Sequence, residues 1–113
     1  MGKFGPGAVV LVRFPFSDLS ASKLRPDVVV AHAGAVDWVL CQVTSHPYGD
    51  KNAVPLQSTS FSNGGLSRDS FVRPGKLFTG SDTIVVRGAG VLSPAAYREV
   101  IDAVTQVVRS GLP

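Results

Sequence analysis

The chain has 113 residues, of which 44% are hydrophobic and 17% charged, with a formal net charge of +3. That length and apolar content suit one domain with a real core and exclude a chain too polar to fold. A single cysteine excludes an intrachain disulfide, and the mildly basic balance (pI near 9.4) is compatible with a polyanionic partner without requiring one.

No apolar run approaches the roughly 20 residues of a membrane-spanning helix. The run at residues 8–12 is ended by Arg13. Met1-Gly2-Lys3-Phe4-Gly5-Pro6 starts like a myristoylation site but has proline where serine or threonine is wanted. No secretory signal is visible, so a cytoplasmic protein with no membrane association is expected.

Gly5-Pro6-Gly7 predicts a turn, and residues 8–16 the first strand. Pro15 has no N–H to donate, so it belongs at the strand's end or on an edge. Residues 17–23 predict a small, polar loop beside Arg25, either a cover that closes over a ligand or an ordinary long hairpin loop.

The centre of the chain reads as a hairpin. Asp27-Val28-Val29-Val30-Ala31 is β-branched and apolar, Ala33-Gly34-Ala35 supplies a reversal, and residues 38–44 return. A turn centred on Gly34 and Ala35 sets Arg25 opposite Thr44, Asp27 opposite Gln42, Val29 opposite Leu40 and Ala31 opposite Trp38. Directly opposed residues share a sheet face, with Cβ atoms roughly 5 Å apart. The alternate face carries Val28, Val30, Val39, Cys41 and Val43, all apolar, and must be core, with Cys41 a small buried hydrophobe. The first face ends in Arg25, Asp27, Gln42 and Thr44, and this polar corner is where chemistry is expected.

Tyr48-Gly49-Asp50-Lys51-Asn52 is turn-rich, and Ala53-Val54-Pro55-Leu56 suits a short edge strand. Residues 58–65 read as a patternless loop. Residues 70–73 predict a strand, Pro74-Gly75 a turn, and residues 76–79 and 83–87 two further short strands. His32 lies at the far end of the hairpin, beside Asp37 and on the core face, as structure. Many short strands at close spacing imply a small barrel or a strongly curved sheet.

The C-terminus changes period. Ser93 is a good N-cap and Pro94 suits the first helical position. Ala96, Val100, Val104 and Val107, widened by Ile101 and Val108, make an apolar stripe that packs on the sheet. Arg109 favours the helix's negative end and Gly111 stops it. Repeats, low-complexity tracts and linkers are absent, so residues 1–113 form a single domain.

The stretch Val9-Val10-Leu11-Val12-Arg13-Phe14-Pro15-Phe16-Ser17-Asp18-Leu19, then Ser22-Lys23-Leu24-Arg25-Pro26, resembles the opening of the PemK/MazF family, the toxins of type II toxin–antitoxin systems. Gln42-Val43-Thr44-Ser45, Lys76-Leu77-Phe78-Thr79, Ile84-Val85-Val86-Arg87 and Gly90-Val91-Leu92-Ser93 continue the likeness in order. The resemblance implies a mainly β, SH3-like twisted barrel with a C-terminal helix, usually a homodimer, working without metal or other cofactor. It implies sequence-specific cleavage of single-stranded RNA to a 2′,3′-cyclic phosphate and a 5′-hydroxyl, held in check by a cognate antitoxin with an acidic, partly disordered tail. The family's arginine and threonine fall on Arg25 and Thr44, the pair that the hairpin register sets opposite one another. Three departures stand out: Ala8 where many relatives have aspartate, Asp27 where a small apolar residue is common, and His46 where glutamine is frequent.

Cleavage of this kind takes its nucleophile, the 2′-hydroxyl, from the substrate. The protein must stabilise charge developing on phosphorus and manage two proton transfers. Arginine suits the first task, being always charged, planar and able to grip two phosphate oxygens. Thr44 can donate to a phosphate oxygen and help place the 2′-hydroxyl. His46 would share Thr44's face if the strand continued. Since imidazoles ordinarily titrate near ~6.5, it is a candidate base or acid, the alternative being an ordinary histidine before a proline; Ser45 is a second possible catalytic or binding group. Ser17, Lys23 and Gln42 are candidate substrate contacts, and Lys23, Arg68, Arg73 and Lys76 candidate contacts to the RNA backbone. Two separated histidines and a buried cysteine do not make a metal site. Two rival readings remain: a non-catalytic toxin of the same fold that binds a protein such as DNA gyrase, or a degenerate relative that binds only RNA or antitoxin, with Asp27 as its symptom. The first depends on a Trp-Gly-Ile chain end, and this chain ends Ser-Gly-Leu-Pro.

Overall fold

The structure is a computed structural model and describes residues 4–13 and 23–113. The strands are β1 (Ala8–Arg13), β2 (Leu24–Gly34), β3 (Asp37–Thr44), β4 (Val54–Leu56), β5 (Phe61–Gly64), β6 (Ser70–Ser81) and β7 (Val85–Leu92), and the helix is α1 (Pro94–Arg109). The strands pair antiparallel in the order β4-β6-β3-β2-β1-β7-β5. The sheet curls rather than closes: β4 and β5 are its two edges, yet Val54 and Leu56 from one side and Leu92 and Phe61 from the other meet in a single core. The expected barrel is therefore an open half-barrel, filled by α1.

That helix forms as its sequence dictates. The Ser93 hydroxyl accepts the Ala96 amide at 3.2 Å, and Pro94 opens the first turn. Ala96 and Val100 are buried among Val9, Val28, Val30, Cys41, Val43 and Val72. Val108, expected in the stripe, is 64% exposed, whereas its neighbour Val107 is half-buried, so the buried stripe is narrower than expected.

The central hairpin keeps the expected register at its open end, with Asp27 opposite Gln42, Val28 opposite Cys41 and Val29 opposite Leu40. Toward the turn it slips twice. Ala31 faces Val39, His32 faces Trp38 and Gly34 faces Asp37, so the expected Ala31–Trp38 pair does not form. Val30 is the extra residue of the first bulge. Its carbonyl accepts the Tyr97 hydroxyl of α1 at 2.8 Å, so the carbonyl at the irregularity is paired. His32 is exposed rather than core-facing; its ring lies 4.8 Å from that of Trp38, and its Nε2 is 2.9 Å from the Ala35 carbonyl.

Three further expectations change. The strands read at 70–73 and 76–79 are one strand, β6: the register passes from Cys41–Leu77 to Val43–Val72, and the bulge between them absorbs Pro74 and Gly75. The supposed loop at 58–65 is a 3₁₀ turn (Ser58–Ser60) followed by β5, which pairs with β7. A Cβ on Gly90 would lie 2.6 Å from the Asn63 carbonyl oxygen, so only glycine lets these backbones approach. The strand expected from residue 83 is preceded by a second 3₁₀ turn (Asp82–Ile84) and begins at Val85. Residues 14–16 of the expected first strand lie outside the described residues.

The opposite face of the hairpin is not open to solvent along its length. Ala8, Val10, Val12, Val29 and Leu40 form a second core with Phe4, Trp38, Phe78, Ile84 and Val85. At the open end of the hairpin that face carries Arg25, which is exposed, and Thr44, which is half-buried.

Candidate active site

Here the open ends of β2 and β3 meet the segment leading into β6. Lys23 and Arg25 from the start of β2, Thr44 and Ser45 from the end of β3, Tyr48 from the following turn, and Ser67, Arg68 and Ser70 line one open cavity of about 460 Å³. Leu11, Val43 and Leu66 give it an apolar floor. Three cations and several hydroxyls around one concavity are what a bound phosphodiester requires: fixed positive charge and neutral donors.

Each side chain has a local reason for its place. Arg25 alternates with the buried Val28 and Val30, and the chain reaches it before β2 enters the sheet's interior, so it is exposed. Thr44 is the last residue of β3, and its Oγ1 accepts the His46 amide at 3.2 Å. That contact uses acceptor capacity only, so the hydroxyl proton stays available for a ligand oxygen.

Sequence reasoning brought together Arg25, Thr44, Lys23 and Ser45, and the structure places all four on the cavity. Ser17 lies outside the described residues. Gln42 does not line the cavity: it sits directly across from Asp27, and its Oε1 is buried with no partner among the described residues. The strand ends before His46, whose exposed ring lies 6.1 Å from that of Tyr48 rather than in the cavity. Arg73 is also elsewhere, its Nε donating to Asp50 Oδ2 at 3.2 Å, and Lys76 is exposed in the β6 bulge. Tyr48, Ser67 and Ser70 were missed. The turn signal around Tyr48 is legible, but nothing in the sequence ties that turn to Arg25.

Behind the cavity lies the least ordinary residue of the fold. Asp27 is 0% exposed, and neither carboxyl oxygen has a hydrogen-bond partner among the described residues. Burial raises its pKa from 3.8 to about 8, with the charge of Arg25 pulling the other way. Near neutral pH the group is thus mostly the neutral acid, and a neutral acid does not repel a phosphate held at Arg25. Among the described residues no group of three or more His, Cys, Asp or Glu is arranged to hold a metal ion, and no helix is long and apolar enough to cross a membrane.

No protein-family profile matches this chain, and no curated relative matches it in sequence. Solved structures do match. An endoribonuclease in complex with its cognate antitoxin, from a mycobacterial species, is 16% identical with a TM-score of 0.72, covering 100% of this chain and 98% of that one. The MazE–MazF complex of Deinococcus radiodurans (Form-III) is 15% identical with a TM-score of 0.73, covering 93% and 95%. The Mycobacterium tuberculosis toxin MazF-mt6 is 14% identical with a TM-score of 0.69, covering 89% and 95%. At these identities the likeness is one of fold, and the fold of this chain is that of the PemK/MazF toxins.

Proposed function

We propose that this protein is the toxin of a type II toxin–antitoxin pair and acts as a sequence-specific, metal-independent endoribonuclease on single-stranded RNA. The observation that carries the reading is the convergence of Arg25 and Thr44, from two different strands, on one open cavity whose other charged residues are Lys23 and Arg68. In this mechanism the 2′-hydroxyl adjacent to the scissile phosphate attacks phosphorus, and the 5′-oxygen of the next nucleotide leaves. A 2′,3′-cyclic phosphate and a 5′-hydroxyl result. Arg25 holds the non-bridging oxygens as charge builds on them; always protonated, it serves as an electrostatic clamp rather than a base. Thr44 donates its free proton to one of those oxygens and fixes the sugar beside it. Lys23 and Arg68 hold flanking phosphates, which orients the strand without reading its sequence.

The reading extends to assembly. The fold matches include toxin–antitoxin complexes, and a basic chain with a cationic cavity is complementary to an acidic, partly disordered antitoxin tail that orders on binding. A cytoplasmic homodimer completes the proposal.

The test is direct. Purified protein is incubated with a long single-stranded RNA in excess chelator and the fragment ends are mapped. Discrete cuts bearing 5′-hydroxyl and cyclic phosphate ends are expected. Uncut RNA that becomes cut only on adding a divalent ion would overturn the mechanism.

A further inference from the structure

Tyr48 occupies a turn closed by the Asp50 amide donating to the Pro47 carbonyl at 2.9 Å. Both central residues have positive φ, 55° at Tyr48 and 74° at Gly49. Such turns favour Asn-Gly, because bulky side chains seldom adopt the left-handed backbone. Core packing does not account for the tyrosine, since it is 72% exposed. Its ring is nonetheless braced. The Arg73 guanidinium lies 5.6 Å from the ring centroid, the His46 ring meets it edge-on at 6.1 Å, and Asp50 fixes Arg73 through Oδ2 while Oδ1 accepts the Asn52 amide at 2.9 Å. A strained backbone therefore holds an ordered, mostly uncovered aromatic ring on the cavity that contains Arg25 and Thr44.

We infer that Tyr48 is a stacking platform for one nucleobase of the single-stranded substrate, next to the phosphate held by Arg25. The inference rests on the endoribonuclease reading and deepens it. A flat ring adds little to the binding of a bare phosphate, so its presence beside three cations calls for a ligand that joins a polyanionic backbone to planar faces. Single-stranded nucleic acid is that ligand, gripped by cations along the backbone and by aromatic rings under the bases. Holding the ring in place beforehand lowers the ordering cost of each binding event.

The experiment uses a fluorescent RNA oligonucleotide spanning a mapped cleavage point, with the attacking 2′-hydroxyl replaced by hydrogen so that it binds without being cut. A series with one abasic position at a time accompanies it. Tyr48→Ala should weaken binding about 5- to 150-fold, while Tyr48→Phe stays within about twofold. One abasic position near the cleavage point should cost the wild type a similar factor and cost Tyr48→Ala almost nothing. Tyr48→Gly, which relieves the left-handed backbone, should lose the same affinity with no loss of melting temperature. If the wild type cuts and binds RNA but Tyr48→Ala binds equally well, or every abasic penalty survives in Tyr48→Ala, the platform is overturned and the endoribonuclease reading stands. If Tyr48→Ala binds RNA normally but loses affinity for an antitoxin, the platform is likewise overturned in favour of a protein contact. A wild type that neither binds nor cuts RNA overturns both.

Discussion

The two faces of the β2–β3 ladder are made from alternate residues of the same strands and treat polar groups in opposite ways. Under α1 the face is Val28, Val30, Cys41 and Val43, and its polar groups are answered. The Cys41 thiol donates to the Arg73 carbonyl at 3.0 Å, and the Val30 carbonyl accepts from Tyr97. On the other face, Val29 and Leu40 are followed by Asp27 and Gln42, where both carboxyl oxygens and Gln42 Oε1 are buried without a partner among the described residues. Burial pushes both acids upward, Cys41 to about 12 and Asp27 to about 8. The same physical effect has unequal consequences. A thiol that is already neutral at pH 7 loses nothing by burial, whereas a carboxyl that the unfolded chain would ionise must bind a proton to fold. Among the described residues the buried side-chain atoms without a partner all lie on this second face, Asp27 and Gln42 toward the proposed site and Trp38 Nε1 toward the hairpin turn.

If catalysis belongs to the open end of that face and stability to the other, the two should separate under mutation. Arg25→Ala should lower RNA cleavage on the order of 10²-fold or more. Its melting temperature should stay near that of the wild type, because Arg25 is exposed. Thr44→Val should lose cleavage less steeply, since it removes one neutral donor. A folded Arg25→Ala protein that cuts RNA at the wild-type rate would dissolve the distinction.

Asp27 sharpens the contrast through pH. The native carboxyl holds its proton up to about pH 8, whereas the unfolded one releases it near 3.8. Between those values the native state binds more protons, so stability must fall as pH rises, levelling off above about pH 8. Each pH unit in that window removes about 1.4 kcal/mol. Asp27→Asn cannot ionise and should be about 2 to 4 kcal/mol more stable than the wild type at pH 7, with a nearly flat profile from pH 5 to 8. Denaturant midpoints across that range decide it. Wild-type stability that rises with pH would mean the carboxylate is favoured in the fold after all.

The core face should respond in the complementary way. Val100 is 0% exposed on α1, and Val100→Ala should cost about 1 to 3 kcal/mol of stability while leaving cleavage per folded molecule within about twofold. Val108→Ala, on the same helix but 64% exposed, should change stability by less than about 0.5 kcal/mol. Equal losses at the two positions would show the helix packed on a different face.

Much of this division is legible in the amino-acid sequence. Alternation identifies the apolar face of the hairpin, because a one-residue slip would exchange its two faces. The bulges are not legible: an extra residue such as Val30 leaves the apolar run looking unbroken, and Pro74-Gly75 carries the same signal in a turn as in the bulge that β6 absorbs. β5 is hidden because it holds one apolar residue, Phe61, and pairs along a glycine-lined edge. Arg25 and Thr44 come from register and resemblance together. The burial of Asp27 cannot be read, since a charged residue argues for exposure until the neighbours that desolvate it are known. The placement of Tyr48 also depends on contacts distant in sequence, through Arg73.

The smallest expected effect belongs to His46, and it tests where the site's boundary lies. A continued strand would have aimed this imidazole beside Thr44. Instead β3 ends at Thr44, the His46 amide caps the Thr44 hydroxyl, and the ring turns to Tyr48, off the cavity lining. A histidine base would give the cleavage rate an acid limb with an apparent pKa of roughly 6 to 7, and glutamine in its place would flatten that limb. The geometry here predicts otherwise. His46→Gln keeps the backbone amide that holds Thr44 and removes only an edge contact to Tyr48. The pH profile should therefore keep its shape, with kcat unchanged and KM raised about twofold, reflecting an exposed edge contact worth about 0.5 kcal/mol. Single-turnover rates from pH 5 to 8 for both proteins separate the cases. A flattened acid limb would move the boundary outward to include His46, and an unchanged one leaves His46 outside the chemistry that Arg25 and Thr44 support.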